Sequence, residues 1–197
     1  MTKEEISLRL EQIGVPLEIR PVFIDEGSIQ QIERNETVAS IGELCQKIFI
    51  VLEGGFVSQQ RHGESAHRTV NFFLDSHEPY MVSFHSFFHG EPSRVRLLAI
   101  KKSTVLILEK FQIDEFNRTL IPFKNQYIER LVHVLLVENE FKSYMITKSS
   151  QELYGHIVTD YPELVRDVPT KYIAEFMGIS RVWLSNLKRR NFKKNVN

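Results

Sequence analysis

The sequence predicts an α+β fold in three parts: an N-terminal antiparallel β-roll of jelly-roll type, a long helix, and a C-terminal helix-turn-helix. Three observations predict it. Short β-rich runs broken by glycine fill the stretch between Ile32 and Leu108. A helical apolar stripe follows, with almost no turn chemistry between Ile113 and Tyr144. Beyond Thr170, apolar, small and glycine residues recur at the intervals that two crossing helices require.

The first residues read as helix, because Ile6, Leu10 and Ile13 recur at helical spacing before Gly14-Val15-Pro16 ends the pattern. The strand candidates are Ile48–Leu52, Phe56–Gln60, Thr69–Leu74, Arg94–Ile100 and Thr104–Leu108. Gly54-Gly55 between the first two reads as a hairpin turn. Many short strands without intervening helices favour an antiparallel roll, whose interior can hold a small ligand.

From Ile113 onward Phe116, Leu120, Phe123, Tyr127, Leu131 and Leu135 step by three or four, and Ile128, Val132 and Val134 widen the stripe. Only Pro122 interrupts it. One small roll does not need that much apolar helix surface. The surplus packs on its own domain or forms a seam with a second copy. A further helix over Ser149–Asp160 ends at Tyr161-Pro162. The expected domains are residues 1–112, 113–145 and 146–197.

The 197 residues carry 25 basic and 25 acidic side chains, a formal charge of zero. The distribution is uneven. From Thr170 onward there are seven basic residues (Lys171, Arg181, Lys188, Arg189, Arg190, Lys193, Lys194) against the single acid Glu175. A basic module on an acidic body attracts a polyanion locally. Cys45 is the only cysteine, which excludes an internal disulfide and a cysteine-ligated cluster within one chain. Its place before an apolar run suggests a buried, inert thiol. The opening Met1-Thr2-Lys3-Glu4-Glu5 does not read as a signal peptide, and no apolar run approaches the ~20 residues that span a bilayer. A cytoplasmic protein without membrane attachment is expected.

Counting Thr170 as position one, Ile173 and Ala174 fall at four and five, Met177 at eight, Gly178 at nine, Ile179 at ten, Leu184 at fifteen and Leu187 at eighteen. Each has a physical task. Ala174 is small where two helices cross, and Gly178 takes the positive φ that leaves the first helix. Ser180 is a good N-cap for the second helix. With Leu184 and Leu187 turned inward, the outer face carries Arg181, Val182 and Ser185 near its start and Asn186, Lys188, Arg189 and Arg190 beyond. The start of such a helix enters the DNA major groove. There Arg181 suits guanine, Asn186 adenine, and Val182 a thymine methyl. The later cations suit phosphates, and Thr170 and Ser180 join the DNA-binding candidates. Lys188–Arg190 are equally suited to a helix C-terminus.

On these residues, and on Gly42-Glu43, Ile48–Gly54, Phe87–Ser93 and Tyr161–Leu164, the chain resembles the Crp/Fnr family of bacterial transcription regulators, in a short variant similar to those of the Bacteroidetes. The resemblance implies a cyclic-nucleotide-binding-like sensor roll, a dimerisation helix and DNA-binding heads, which favours the seam reading. It further implies a homodimer on a palindromic operator in double-stranded DNA, an unidentified small-molecule effector if the sensor works, and RNA polymerase as a partner if the protein activates.

The departures matter. Aligned on Gly90, Val82-Ser83 stand where cyclic-AMP binders of the family have Gly-Glu, and Ser93-Arg94 where they have Arg-Ser. The ribose carboxylate is missing and Arg94 is one residue displaced. Losing a charged hydrogen bond in a buried site costs on the order of 1.5–3 kcal/mol. Val82, Ser83, Ser93 and Arg94 are therefore candidate pocket residues for an effector other than cyclic AMP. Asn186 and Val182 depart from the family's usual arginine and glutamate, so a different operator is expected. The sequence stops seven residues after Arg190, where longer relatives have a β-hairpin wing; Lys193 and Lys194 are the expected substitutes.

Two rivals compete. A cupin-like metal-dependent enzyme would use the histidines of the β-rich region: His62, His67, His77, His85 and His89. His85 and His89 converge only if that stretch is helical. The other rival is a ligand-binding module that does not engage DNA. No catalytic constellation is identifiable by spacing, so no enzyme activity, cofactor or metal is expected.

Overall fold

A computed structural model describes residues 1–63 and 66–194, with side chains described up to Arg190. Two helices lead, α1 (Lys3–Gln12) and α2 (Arg20–Glu26). Eight strands follow: β1 (Ser28–Ile32), β2 (Thr37–Ala39), β3 (Lys47–Glu53), β4 (Gly55–His62), β5 (Ala66–Leu74), β6 (Tyr80–Val82), β7 (Val95–Ala99) and β8 (Ser103–Glu109), with α3 (Phe84–His89) between β6 and β7. The remainder is helical: α4 (Lys110–Thr119), α5 (Ile121–Thr147), α6 (Ser150–Asp160), α7 (Pro162–Asp167), α8 (Thr170–Phe176) and α9 (Arg181–Lys194). The class is α+β, as expected. Among the described residues no helix is long and apolar enough to cross a membrane.

The strands form two antiparallel four-stranded sheets, ordered β1-β8-β3-β6 and β2-β7-β4-β5. Ile32, Phe49, Val51, Phe56, Phe73, Met81, Leu97 and Val105 fill the space between them. Both sheets are also covered outside. Ile50, Leu52, Leu106 and Leu108 of the first sheet pack with Leu10, Phe23, Ile113, Phe116 and Phe123. Val57, Phe72, Leu74, Leu98 and Ile100 of the second share one core with Phe141, Ile157, Ile173, Leu184 and other residues of the C-terminal helices. Burial on two faces is why these strands read as unbroken apolar runs instead of alternating ones.

Two sequence expectations need correction. Gly54-Gly55 is not a hairpin turn. β3 pairs with β8 and β6, whereas β4 pairs with β5 and β7, so the chain crosses between sheets at Gly54. Gly54 has φ +109°, and a β-carbon there would lie 2.2 Å from Ser103 Oγ. Only glycine fits such a corner. Nor is 113–144 one helix. Leu120 leaves helical geometry (φ −116°, ψ 97°), and Pro122 sits in the first turn of α5. A proline further inside would remove a hydrogen bond and clash with the preceding turn; at a helix start it does neither.

Local chemistry sets the other ends. Thr2 with Glu5 and Ser149 with Glu152 form capping boxes on α1 and α6. Cys45 is buried, and burial pushes its thiol pKa up.

Candidate nucleic-acid interface

The helix-turn-helix forms as its spacing requires. α8 ends at Met177, Gly178 turns the chain with φ +66°, and Ser180 Oγ accepts a hydrogen bond from the Trp183 amide at 3.1 Å, capping α9. Ile173, Ala174, Met177, Leu184 and Leu187 are buried, and Ile179 is half-buried. This locks one side of α9 and frees the other. Arg181, Val182, Ser185, Arg189 and Arg190 are exposed, Val182 at 73%.

Four predicted residues are already paired with one another. Lys188 Nζ donates to Thr170 Oγ1 at 3.0 Å, joining the two helices of the motif. Asn186 Oδ1 accepts from the Arg189 guanidinium. The Trp183 indole N–H donates to Ser150 Oγ at 3.0 Å while its ring stays 37% exposed, with the Arg190 guanidinium 5.3 Å from the ring centroid. The side chains of Lys193 and Lys194 lie outside the described ones.

The helix-turn-helix rests on the roll. Glu175 accepts from Gln59 Nε2 (2.7 Å) and Thr69 Oγ1 (2.8 Å), and Gln59 Oε1 accepts from Arg96. Phe176 meets Phe72 edge-on at 5.0 Å. Nearby, His77 Nδ1 lies 3.1 Å from Glu163 of α7, and His133 of α5 lies 2.6 Å from Glu78. Burial holds the His77 imidazole below its ordinary pKa, against the pull of Glu163 and Glu78. Burial, with Glu140, pushes the Tyr161 hydroxyl up to about 12. Sequence reasoning missed this seam. Its one signal was the apolar character of both faces of β4, β5 and β7.

Of the pocket candidates, Val82, Ser83 and Arg94 line a cavity of about 540 Å³ between the roll and α5. Ser93 lies behind the wall, its hydroxyl 2.7 Å from that of Ser83 and donating to the Val95 carbonyl at 2.6 Å. Arg94 pairs with Glu91 at 3.2 Å. Residues not foreseen complete the wall, among them Asn71, Leu131, Leu135 and Glu138. The Glu138 carboxylate accepts from Asn71 Nδ2 at 2.8 Å, and burial with the Glu78 charge pushes its pKa up. An acid here and an arginine already paired give a cyclic phosphate a poor reception. Glu138 was visible at helical spacing from Leu131 and Leu135.

His85 and His89 do share a helix, α3, with ring centroids 5.7 Å apart. Among the described residues no group of three or more His, Cys, Asp or Glu is arranged to hold a metal ion.

No protein-family model matches the chain, and no curated protein sequence matches it. Solved structures do. FixK2 from Bradyrhizobium japonicum is similar with a TM-score of 0.71 at 12% identity, over 86% of this chain and 86% of that one. The c-di-GMP responsive global regulator CLP of Xanthomonas campestris is similar with a TM-score of 0.68 at 12% identity, over 91% and 93%. The catabolite activator protein of Thermus thermophilus is similar with a TM-score of 0.54 at 16% identity, over 93% and 86%. At such identities the likeness establishes the fold, and it is the fold that the Crp/Fnr resemblance implied.

Proposed function

We propose that this chain is a DNA-binding transcription regulator of the Crp/Fnr type, a cytoplasmic homodimer and not an enzyme. One observation carries the reading: the exposed face of α9. Arg181, Val182, Ser185 and Arg189 stand in solvent on a capped helix whose other side, at Leu184 and Leu187, is fixed in the core. Such a helix enters the major groove with its side chains already aimed.

In this reading residues 1–112 form a sensor, 113–145 the pairing segment with α5 as its helix, and 146–197 the reader. Ile128, Leu131, Val132, Leu135 and Leu136 are exposed on α5, and a second copy covers them. Two heads then meet half-sites of a palindromic operator ~34 Å apart. Arg181 reads guanine. Asn186 reads adenine while sharing its carbonyl oxygen with Arg189. Arg189, Arg190 and the Lys188–Thr170 pair meet phosphates. The effector of the 540 Å³ cavity is a small molecule other than cyclic AMP, and it biases the heads only through unequal affinity for two arrangements. RNA polymerase is the partner if the protein activates.

Titration of a mixed-sequence duplex across a salt series tests the reading. Binding that falls steeply with salt supports it; a chain indifferent to DNA at low salt overturns it in favour of a ligand-binding module.

A further inference from the structure

A second positively charged element stands beside the helix-turn-helix, and it belongs to the roll. The β4–β5 hairpin reaches towards the turn between α8 and α9. The Arg68 guanidinium lies 3.5 Å from where a β-carbon on Gly178 would stand, and Arg181 follows Gly178 by three residues. Arg61 faces His67 across the hairpin, next to the Gln60–Arg68 pair. Arg61 and Arg68 are exposed. Between Gln59 and Thr69 the hairpin sequence carries Arg61, His62, His67 and Arg68 against one acid, Glu64, which lies outside the described residues. Glu175 also faces this group and keeps its charge, since its partners Gln59 and Thr69 are neutral. The local potential is positive enough to register on His67: burial, then Arg96 and Arg61, hold its imidazole below the ordinary value.

The hairpin is also held in place. Glu175 ties its base to α8, and the shared core of Val57, Phe72 and Ile173 fixes the sheet against the head. Two exposed guanidiniums on one hairpin, that of Arg68 beside the turn that leads into α9, form a surface for a polyanion running past that end.

We propose that Arg61 and Arg68 of the β4–β5 hairpin grip the DNA backbone flanking each half-site, making the roll itself part of the DNA-binding surface. This rests on the regulator reading and adds to it a contact outside the helix-turn-helix. The alternative role for Arg68 is local: its charge complements the carbonyls at the C-terminal end of α8. That role affects head stability without changing the number of phosphates neutralised.

The test uses the full chain, a 40-base-pair mixed-sequence duplex and a salt series, comparing wild type with R61A/R68A and R61K/R68K. Each phosphate contact contributes about 0.9 to the slope of log K against log salt, so losing two per head should flatten the slope by about 2 per head and lower affinity at least about tenfold at low salt. The lysine variant should keep the wild-type slope. A double alanine variant that binds with the wild-type slope overturns the hairpin contact while leaving the regulator reading standing, even if its melting temperature has fallen. A wild type that ignores the duplex removes both.

Discussion

Glu175 on α8 and Thr69 on β5, 106 residues apart, share a hydrogen bond of 2.8 Å. The bond joins the first helix of the helix-turn-helix to the sheet that walls the cavity. Gln59, Thr69 and Arg96 face the head, whereas their neighbours Ser58, Val70 and Val95 line the cavity on the other side. One sheet thus has the cavity on one face and the helix-turn-helix on the other. Strand alternation places them so, with the β-bulge at Val70 resetting the phase of β5.

Glu175→Ala should therefore destabilise the docked head. It leaves Thr69 Oγ1 without its acceptor and Gln59 Nε2 with only the longer 3.4 Å bond to Thr69 Oγ1, on residues that are 3% and 2% exposed. The expected loss is about 1–3 kcal/mol in urea unfolding, with Glu175→Gln losing less because one acceptor oxygen remains. No change in midpoint for the alanine variant would mean that the bond is incidental.

The helix-turn-helix was legible because every interior position of that motif has one physical solution: a small residue at the crossing, glycine at the turn, leucine under the second helix. Ala174, Gly178 and Leu184 each met it. The strands were legible for the same reason in outline, through β3, β4, β5, β7 and β8. The short strands β1, β2 and β6 were not, because three to five residues carry too little pattern to distinguish from loop. Gly54 misled because a glycine pair looks alike at a hairpin and at an inter-sheet corner; only the pairing partners, far away in sequence, decide. The seam through Gln59, His77, Glu163 and Glu175 was invisible on the same grounds. Polar residues paired across 86 to 116 positions leave no local trace.

Gly54→Ala should be severe. Positive φ strains any β-carbon, and this one would also meet Ser103 Oγ at 2.2 Å, where that hydroxyl accepts from the Gly55 amide. A loss of about 3 kcal/mol or outright misfolding is expected, from backbone strain together with overpacking. Wild-type stability by denaturant titration would contradict the corner geometry.

Head docking should depend on pH through His77, which is 12% exposed and faces Glu163 of α7, Glu78 of its own turn and His133 of α5. Its pKa in the folded chain is lowered, chiefly by burial. The contribution to stability is thus complete above the unfolded imidazole value of about 6.5 and is lost as pH falls through the lower folded value. Thermal melts between pH 8 and pH 5 should show the wild type weakening on the acid side more than His77→Gln. Parallel curves for the two would contradict this.

The exposed face of α5 should assemble two copies. Leu135 is 63% exposed and Leu136 62%, with Ile128, Leu131 and Val132 beside them. Leu131→Glu with Leu135→Glu should place two charges in that contact and yield a monomer by sedimentation equilibrium, with the roll still folded. A wild type that is itself monomeric at micromolar concentration would remove the paired-helix arrangement.

The central claim is that α9 reads base pairs, twice per assembled molecule. Selection of bound duplexes from a random pool tests it most directly, run in parallel with Arg181→Ala. The expected consensus is a palindrome with half-sites about 10 base pairs apart, and the variant should lose preference at one position in each half while weakening by about 1–3 kcal/mol per head. A pool that shows no enrichment, or an identical consensus from the Arg181→Ala chain, would contradict it.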